Sequence, residues 1–378
     1  MMYFKEQRFE KAKASTLAST HTVELPDTGL IDTISLHFAA VNDSDVYNDP
    51  PAAIWQNISK IEVIGDTDKT LFSMTGQCAI AKAFRKMRGL PPFTHNGYGS
   101  KTQHQDIPIF FGRKPHDGKY ALDLSQWDKI ELKVTNVFSS TYWSSLSMET
   151  KLHTIEDSIE AHPKFLKQWE YQADKPSAAG DYVRPKLPTK GLLRELMIQL
   201  DPDLSASTGA PTADCTGDNY NWKLWFKDRA LTIRDHRPKD LFREEHFTRQ
   251  LGVGHASIKP YPSTTLYTDL LWAYVESIVQ SPISEGGADT TLSAFEDEQG
   301  RFQKLNFAGS AIFNQAIVRG YGLFHTFAIP WFTTDEETEY LNLEQYKPVE
   351  IEWYGYNYYN THRIILEKPI GQGPAEYA

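Results

Sequence analysis

A segment near the start of the chain returns about 162 positions later in the same order, and no other feature restricts the possible folds so strongly. Leu25-Pro26-Asp27-Thr28-Gly29-Leu30 reappears as Leu187-Pro188-Thr189-Lys190-Gly191-Leu192. The spacing continues, with Ile31, Ile34, Leu36 and Phe38 falling on Leu193, Leu196, Ile198 and Leu200. From Ile34 the apolar residues alternate with Ser35 and His37, and Met197 and Gln199 fill those places in the second copy. A period of two predicts a strand with one buried face. Ile61-Glu62-Val63 lies opposite Leu224-Trp225-Phe226, and Thr70-Leu71 opposite Thr232-Ile233, as two more shared strands. A helix-like stretch follows in each copy, 76–88 and 239–251, closed by Gly89 and Gly252. Glycine is the residue that most easily takes the left-handed conformation of a helix cap.

The copies then part and rejoin. Ile107-Pro108-Ile109-Phe110 corresponds to Ile329-Pro330-Trp331-Phe332 at an offset of 222, and Leu122, Leu124, Trp127, Ile130 and Leu132 fall on Leu341, Leu343, Tyr346, Val349 and Ile351 at 219. Between Gly89 and Ile107 lie 17 residues, and between Gly252 and Ile329 lie 76, so the second copy carries a long insertion in one loop. Each copy reads as short strands rich in aromatic and β-branched residues, punctuated by Gly, Pro, Asn and Asp, with one helix. The class is all-β. The 20 Phe, 19 Tyr and 9 Trp suffice to fill two sandwich cores, and 378 residues suffice for two domains.

Acidic residues outnumber basic ones, 49 to 39, which argues against a surface that holds nucleic acid by neutralising phosphates. Two cysteines, Cys78 and Cys215, are too few for a disulfide scaffold or a cysteine metal site and read as free thiols in a reducing compartment. Residues 1–14 lack the apolar core of a secretory signal, and no apolar run reaches the roughly 18 residues of a membrane-spanning helix. No phosphate-cradling loop, nucleophile elbow or His-Glu-x-x-His pair occurs. The histidine groups His95, His104, His116 and His236, His246, His255 fit no ligand spacing, and Asp66-Thr67-Asp68 and Asp201-Pro202-Asp203 read as turns. Glu244-Glu245 and Asp335-Glu336-Glu337 are candidate acids only in the weakest sense, the latter reading as a solvated loop. No catalytic, cofactor-binding or metal-binding residue is assigned, and no cofactor is expected. A carbohydrate-active or carbohydrate-binding protein of two β-sandwiches is the alternative, and it predicts a monomer with an acidic, aromatic cleft.

Leu-Pro-x-x-Gly-Leu leading into an amphipathic strand, a helix ending in Gly, then Ile107-Pro108-Ile109-Phe110-Phe111-Gly112-Arg113 and Tyr120-Ala121-Leu122-Asp123-Leu124 make up a recognisable pattern. It resembles the double jelly-roll major capsid proteins of icosahedral viruses with an internal membrane, over residues 20–366. The resemblance implies two tandem eight-stranded jelly rolls, each a β-sandwich with a short helix, and a long loop insertion in the second. It implies an amino-terminal arm (1–20) facing the interior, a first roll (21–160), a linker (161–184), a second roll (185–366) with an outward tower (253–328), and a carboxy-terminal tail (367–378). The implied role is structural and non-enzymatic: a homotrimer of pseudo-hexagonal outline in the virion, contacting neighbouring capsomers and minor capsid or penton proteins, with no sequence-specific nucleic acid contact. Leu25, Pro26 and Gly29, with Leu187, Pro188 and Gly191, open each roll as a structural corner. Lys5, Arg8, Lys11 and Lys13 give the arm a net positive charge, and lipid beneath it would attract each by roughly 1 kcal/mol.

Overall fold

A computed structural model describes residues 3–43, 53–94, 100–117, 119–156, 164–173, 182–202, 221–236, 253–258, 272–283, 313–324, 326–331, 334–354 and 359–373. The chain divides into two compact units, the first comprising Met1–Glu170 with Glu367–Ala378 and the second Tyr171–Leu366. The helix expected over 239–251, together with Cys215 and Glu244-Glu245, lies outside the described residues.

The first unit contains β1 (Tyr3–Ser15), β2 (Ala18–Glu24), β3 (Leu30–Asn42), β4 (Ile58–Gly65), β5 (Lys69–Met74), α1 (Gly76–Met87), β6 (Phe93–Thr94), β7 (Thr102–Phe110), β8 (Leu122–Asp123), β9 (Ile130–Val137), β10 (Trp143–Glu156) and β11 (Lys164–Ala173). One sheet runs β1-β10-β3-β7-β6, with β8 beside β3, and the other runs β2-β9-β4-β5-β11. On β3 the residues Ile34, Leu36, Phe38 and Ala40 are at most 1% exposed, while Ser35, His37 and Ala39 between them are half-buried. Ile61 and Val63 of β4 and Leu132 and Val134 of β9 supply the same inward rows from the second sheet. Each such side chain contributes about 1.5–3 kcal/mol by leaving water. Thr75 caps α1 by accepting the Cys78 amide at 3.3 Å, and the Glu170 carboxylate receives both the Thr75 amide and its hydroxyl. The left-handed cap at the other end is Arg88 (φ 57°), one residue earlier than the glycine expected there, and the Gly89 amide donates to the Phe84 carbonyl.

Two stretches expected outside the rolls are strands. The arm residues Tyr3–Ser15 form β1, paired antiparallel with β10 from Tyr3↔Glu156 to Ser15↔Leu146. Half of the presumed linker is β11, which pairs parallel to β5 through Gln168↔Phe72.

The second unit contains β12 (Tyr182–Val183), β13 (Leu192–Leu193), β14 (Glu195–Pro202), β15 (Asn221–Phe226), β16 (Leu231–His236), β17 (Val253–Ile258), β18 (Trp272–Ile283), β19 (Phe313–Leu323), β20 (Thr326–Pro330), β21 (Leu341–Asn342), β22 (Val349–Tyr354) and β23 (Tyr359–Gly371), whose end belongs to the first unit. Its sheets run β12-β22-β15-β16 and β23-β14-β20, with the short pair β13-β21. Within the expected insertion, β17, β19 and β18 make a three-stranded antiparallel sheet.

Pairing shows the duplication directly and corrects its register in two places. Ile34 pairs with Ile109, and Leu196, its counterpart, pairs with Ile329, so the offset at β7 and β20 is 220 and not 222. Val63 pairs with Leu132 and Leu224 with Ile351, so β4 matches β15 at 161 and not 163. Both slips are of two residues, which leaves every side chain on its face. The two hairpins share a bulge, between Val63 and Ile64 and between Leu224 and Trp225. Gly65 and Phe226 are equivalent in this register. A Cβ on Gly65 would lie 2.4 Å from Cε3 of Trp127, whereas Phe226 packs at 5.1 Å against Tyr346, the residue matching Trp127. A large ring opposite no side chain in one copy becomes two mid-sized rings in the other. Gly65→Ala should therefore destabilise the first unit by about 1–3 kcal/mol, measured by denaturant unfolding.

Candidate functional site

The residues expected at the corner of each copy meet at one end of their unit. Leu25 and Leu187 are each 3% exposed, while Pro26 and Pro188 are half-buried. The Leu25 amide donates to the Ile130 carbonyl at 2.9 Å and the Leu187 amide to the Val349 carbonyl at 2.9 Å. The Leu124 amide donates to Gly29 at 2.9 Å, and the Leu343 amide to Gly191 at 3.0 Å. Gly29 (φ 123°) and Gly191 (φ 82°) both take positive φ, where a Cβ would be strained. Side chains close the next turn in the same way: Asp123 accepts the Ser125 amide, and Asn342 accepts the Glu344 and Gln345 amides.

The loop after β7 is held by a fork. Arg113 donates from Nε and Nη2 to the two oxygens of Asp117 at 2.8 and 3.0 Å, and its backbone amide adds a third bond at 2.8 Å. Burial opposes the Asp117 charge, but donation from the Arg113 side chain and amide and from the Lys119 amide outweighs it and holds this carboxyl below the usual range. Asp32 of β3 lies beneath the same loop, fully buried. It accepts the Thr33 hydroxyl at 2.8 Å and the His116 amide at 3.1 Å, and desolvation pushes its carboxyl up. In the second unit the position of Asp32 is Arg194, which grips Asp335 of the corresponding loop at 2.8 and 2.7 Å. Tyr340 also donates to Asp335 at 2.9 Å, so this acid is a structural clamp and not a freely solvated loop residue.

A third cluster escaped sequence reasoning. Lys82 and Lys86 of α1 approach the Glu367 carboxylate at 2.6 and 3.1 Å, with all three side chains at most 3% exposed. Lys86 donates further to the Gly112 carbonyl at 2.6 Å. Two lysines one helical turn apart, inside a buried stripe with Ala79 and Ala83, were the available signal. Glu367 opens the segment expected as a tail, and that segment is docked as far as residue 373. Gln372 donates to the Ala121 carbonyl at 2.6 Å and accepts the Asp123 amide at 3.2 Å.

Lys5, Arg8, Lys11 and Lys13 are exposed on β1, and Arg8 pairs with Glu149 at 2.8 Å. The expected histidine groups do not assemble. His104 stacks on His37, His116 packs against Phe4, and His95 and His246 lie outside the described residues. Among the described residues no three His, Cys, Asp or Glu side chains converge to hold a metal, and no helix is long and apolar enough to cross a membrane.

No protein-family model and no curated protein matches the sequence. Solved structures do match. The STIV major capsid protein aligns over 97% of this chain and 96% of its own, with a TM-score of 0.61 at 11% identity; STIV is Sulfolobus turreted icosahedral virus. The major capsid protein P2 of bacteriophage PM2 aligns over 98% and 97%, with a TM-score of 0.54 at 10% identity. PBCV-1 VP54 aligns over 98% and 94%, with a TM-score of 0.57 at 7% identity. The chain has the double jelly-roll fold. The likeness extends through both rolls, so the corners and clamps above belong to the duplicated architecture and not to one half.

Two expectations follow for these clusters. Glu367→Gln leaves two buried lysines without their carboxylate and should cost about 3–5 kcal/mol in denaturant unfolding. Asp117→Asn should lower the thermal midpoint at pH 7. Because the folded-state pKa of Asp117 is depressed, its contribution is present above the ordinary value of 3.8 and fades as pH falls through the lower folded-state value, so wild type and variant should converge in acid.

Proposed function

We propose that the chain is a major capsid protein: a structural subunit that forms homotrimers of pseudo-hexagonal outline and tiles an icosahedral shell. The observation that carries this reading is the double jelly-roll fold, matched over nearly the whole length of viral capsid proteins on both sides of the alignment. The physical logic is symmetry. A threefold assembly of a duplicated subunit presents six similar edges, so one chain can pack in a hexagonal lattice with few kinds of contact. The work is association, and the buried clamps keep the rolls rigid while it occurs.

The finer parts of the reading are contacts with minor capsid or penton proteins and with an internal membrane. Arg8 is engaged by Glu149. Lys5, Lys11 and Lys13, exposed along β1, are the cations we assign to an anionic lipid surface.

Light scattering on the purified chain, with negative-stain imaging of the same peak, tests the proposal. The expected mass is about 129 kDa, three times 43.1 kDa, with hexagonal particles. A monomer at every concentration would count against a self-assembling subunit.

A further inference from the structure

The corner ends of the two units share one backbone plan but carry opposite charge. Each is built from three adjacent loops: the corner itself (24–29 or 186–191), the bulged hairpin turn (66–69 or 227–231) and the turn before the last shared strand (123–131 or 342–350). Hydrogen bonds hold them together in the same manner. The Asp66 amide donates to Lys129 at 2.8 Å, and the Lys227 amide donates to Tyr346 at 3.2 Å and Pro348 at 3.1 Å. Position by position, acids give way to bases. Glu24 becomes Lys186, Asp66 becomes Lys227 and Asp128 becomes Lys347. Asp27, Asp68 and Asp123 become the neutral Thr189, Ala230 and Asn342, and Thr28 becomes Lys190. Over these loops the first unit carries seven carboxylates against two lysines, and the second five cations against three carboxylates.

Local pairing neutralises only part of this. In the first unit Lys129 sits between Glu24 and Glu131 at 2.9 Å each, and Lys69 meets Asp68 at 2.9 Å. Asp27 and Asp128 stay exposed. In the second unit Glu350 faces Lys186 at 3.7 Å and Arg229 at 3.6 Å, while Lys190 and Lys347 are exposed. Neither set has a role in the fold that its charge explains, since the backbone bonds of the corner are the same with either sign.

We propose that the two ends are complementary docking surfaces between copies of this chain, the acidic end of the first unit in one copy meeting the basic end of the second unit in the next. Acidic ends repel one another and basic ends repel one another, so the contact selects alternation of first and second units around and between assemblies. This rests on the capsid reading only in requiring that copies associate.

The test follows the concentration dependence of mass by light scattering for the full-length chain, which separates contacts between copies from contacts within one. Raising salt from about 0.1 M to about 1 M shortens the Debye length from about 10 Å to about 3 Å and should weaken association. Asp27→Lys, Asp68→Lys and Asp128→Lys together should weaken it about tenfold, as should Lys186→Glu, Lys190→Glu and Lys347→Glu together. The chain bearing all six reversals should associate within about threefold of wild type, an outcome that a folding defect would not produce. Association indifferent to either set of three, or a six-fold variant no tighter than the single-end variants, overturns the proposal. If that indifference accompanies hexagonal 129 kDa particles, the capsid reading stands and only the corner contact falls.

Discussion

Both units depend on one constraint, which is that the chain must leave one sheet and enter the other within a few residues. Glu24 ends a strand paired to β9, and Leu30 begins one paired to β10 and β7. In five residues the backbone loses its ladder partners and must find others or leave polar groups unsatisfied in a buried setting. The bonds to Ile130 and from Leu124 provide them, and positive φ at Gly29 turns the chain sharply enough to reach both. The second unit repeats the solution at Leu187 and Gly191 with distances that differ by at most 0.1 Å. Once the corner is set, the inward rows of β3 and β14 follow from the period of two.

Because that backbone plan tolerates many side chains, the copies have been free to diverge around it. Gly65 beneath Trp127 answers Phe226 beside Tyr346, a redistribution of volume at one site. Asp32 answers Arg194, and in each unit the following loop is clamped by an Arg–Asp fork whose arginine comes from the loop itself in one case and from the strand in the other. Charge at a clamp is thus interchangeable provided the fork is completed, since an unpartnered buried charge would be far costlier than either arrangement.

How much could be read from the residues varied with the range of the interaction. The duplication, the strand from Ile34 to Phe38, the corner glycines and the helix from Gly76 were legible, because each is written in spacing over a few residues. The two register slips were not, since a shift of two residues preserves every face and therefore every pattern. Nor was β1 legible as a strand. It is an edge strand whose residues are exposed or half-buried throughout, so it has no alternating buried row to show. The Lys82–Glu367–Lys86 cluster joins residues more than 280 positions apart, and no local pattern in either segment names the other.

By itself the sequence determined the class, the twofold internal repeat, the place of the insertion and the excess of acid over base, all properties of short-range periodicity and composition. Tertiary structure alone decided which residues of the two copies are equivalent, which lysines and acids are buried together, and that three distant loops share one end of each unit. The physical reason is that pairing register, ion-pair geometry and the sign of a surface are set by partners that meet only when the sheets close. The opposite charges of the two corners were present in the chain throughout, but they became two surfaces only after folding had gathered them.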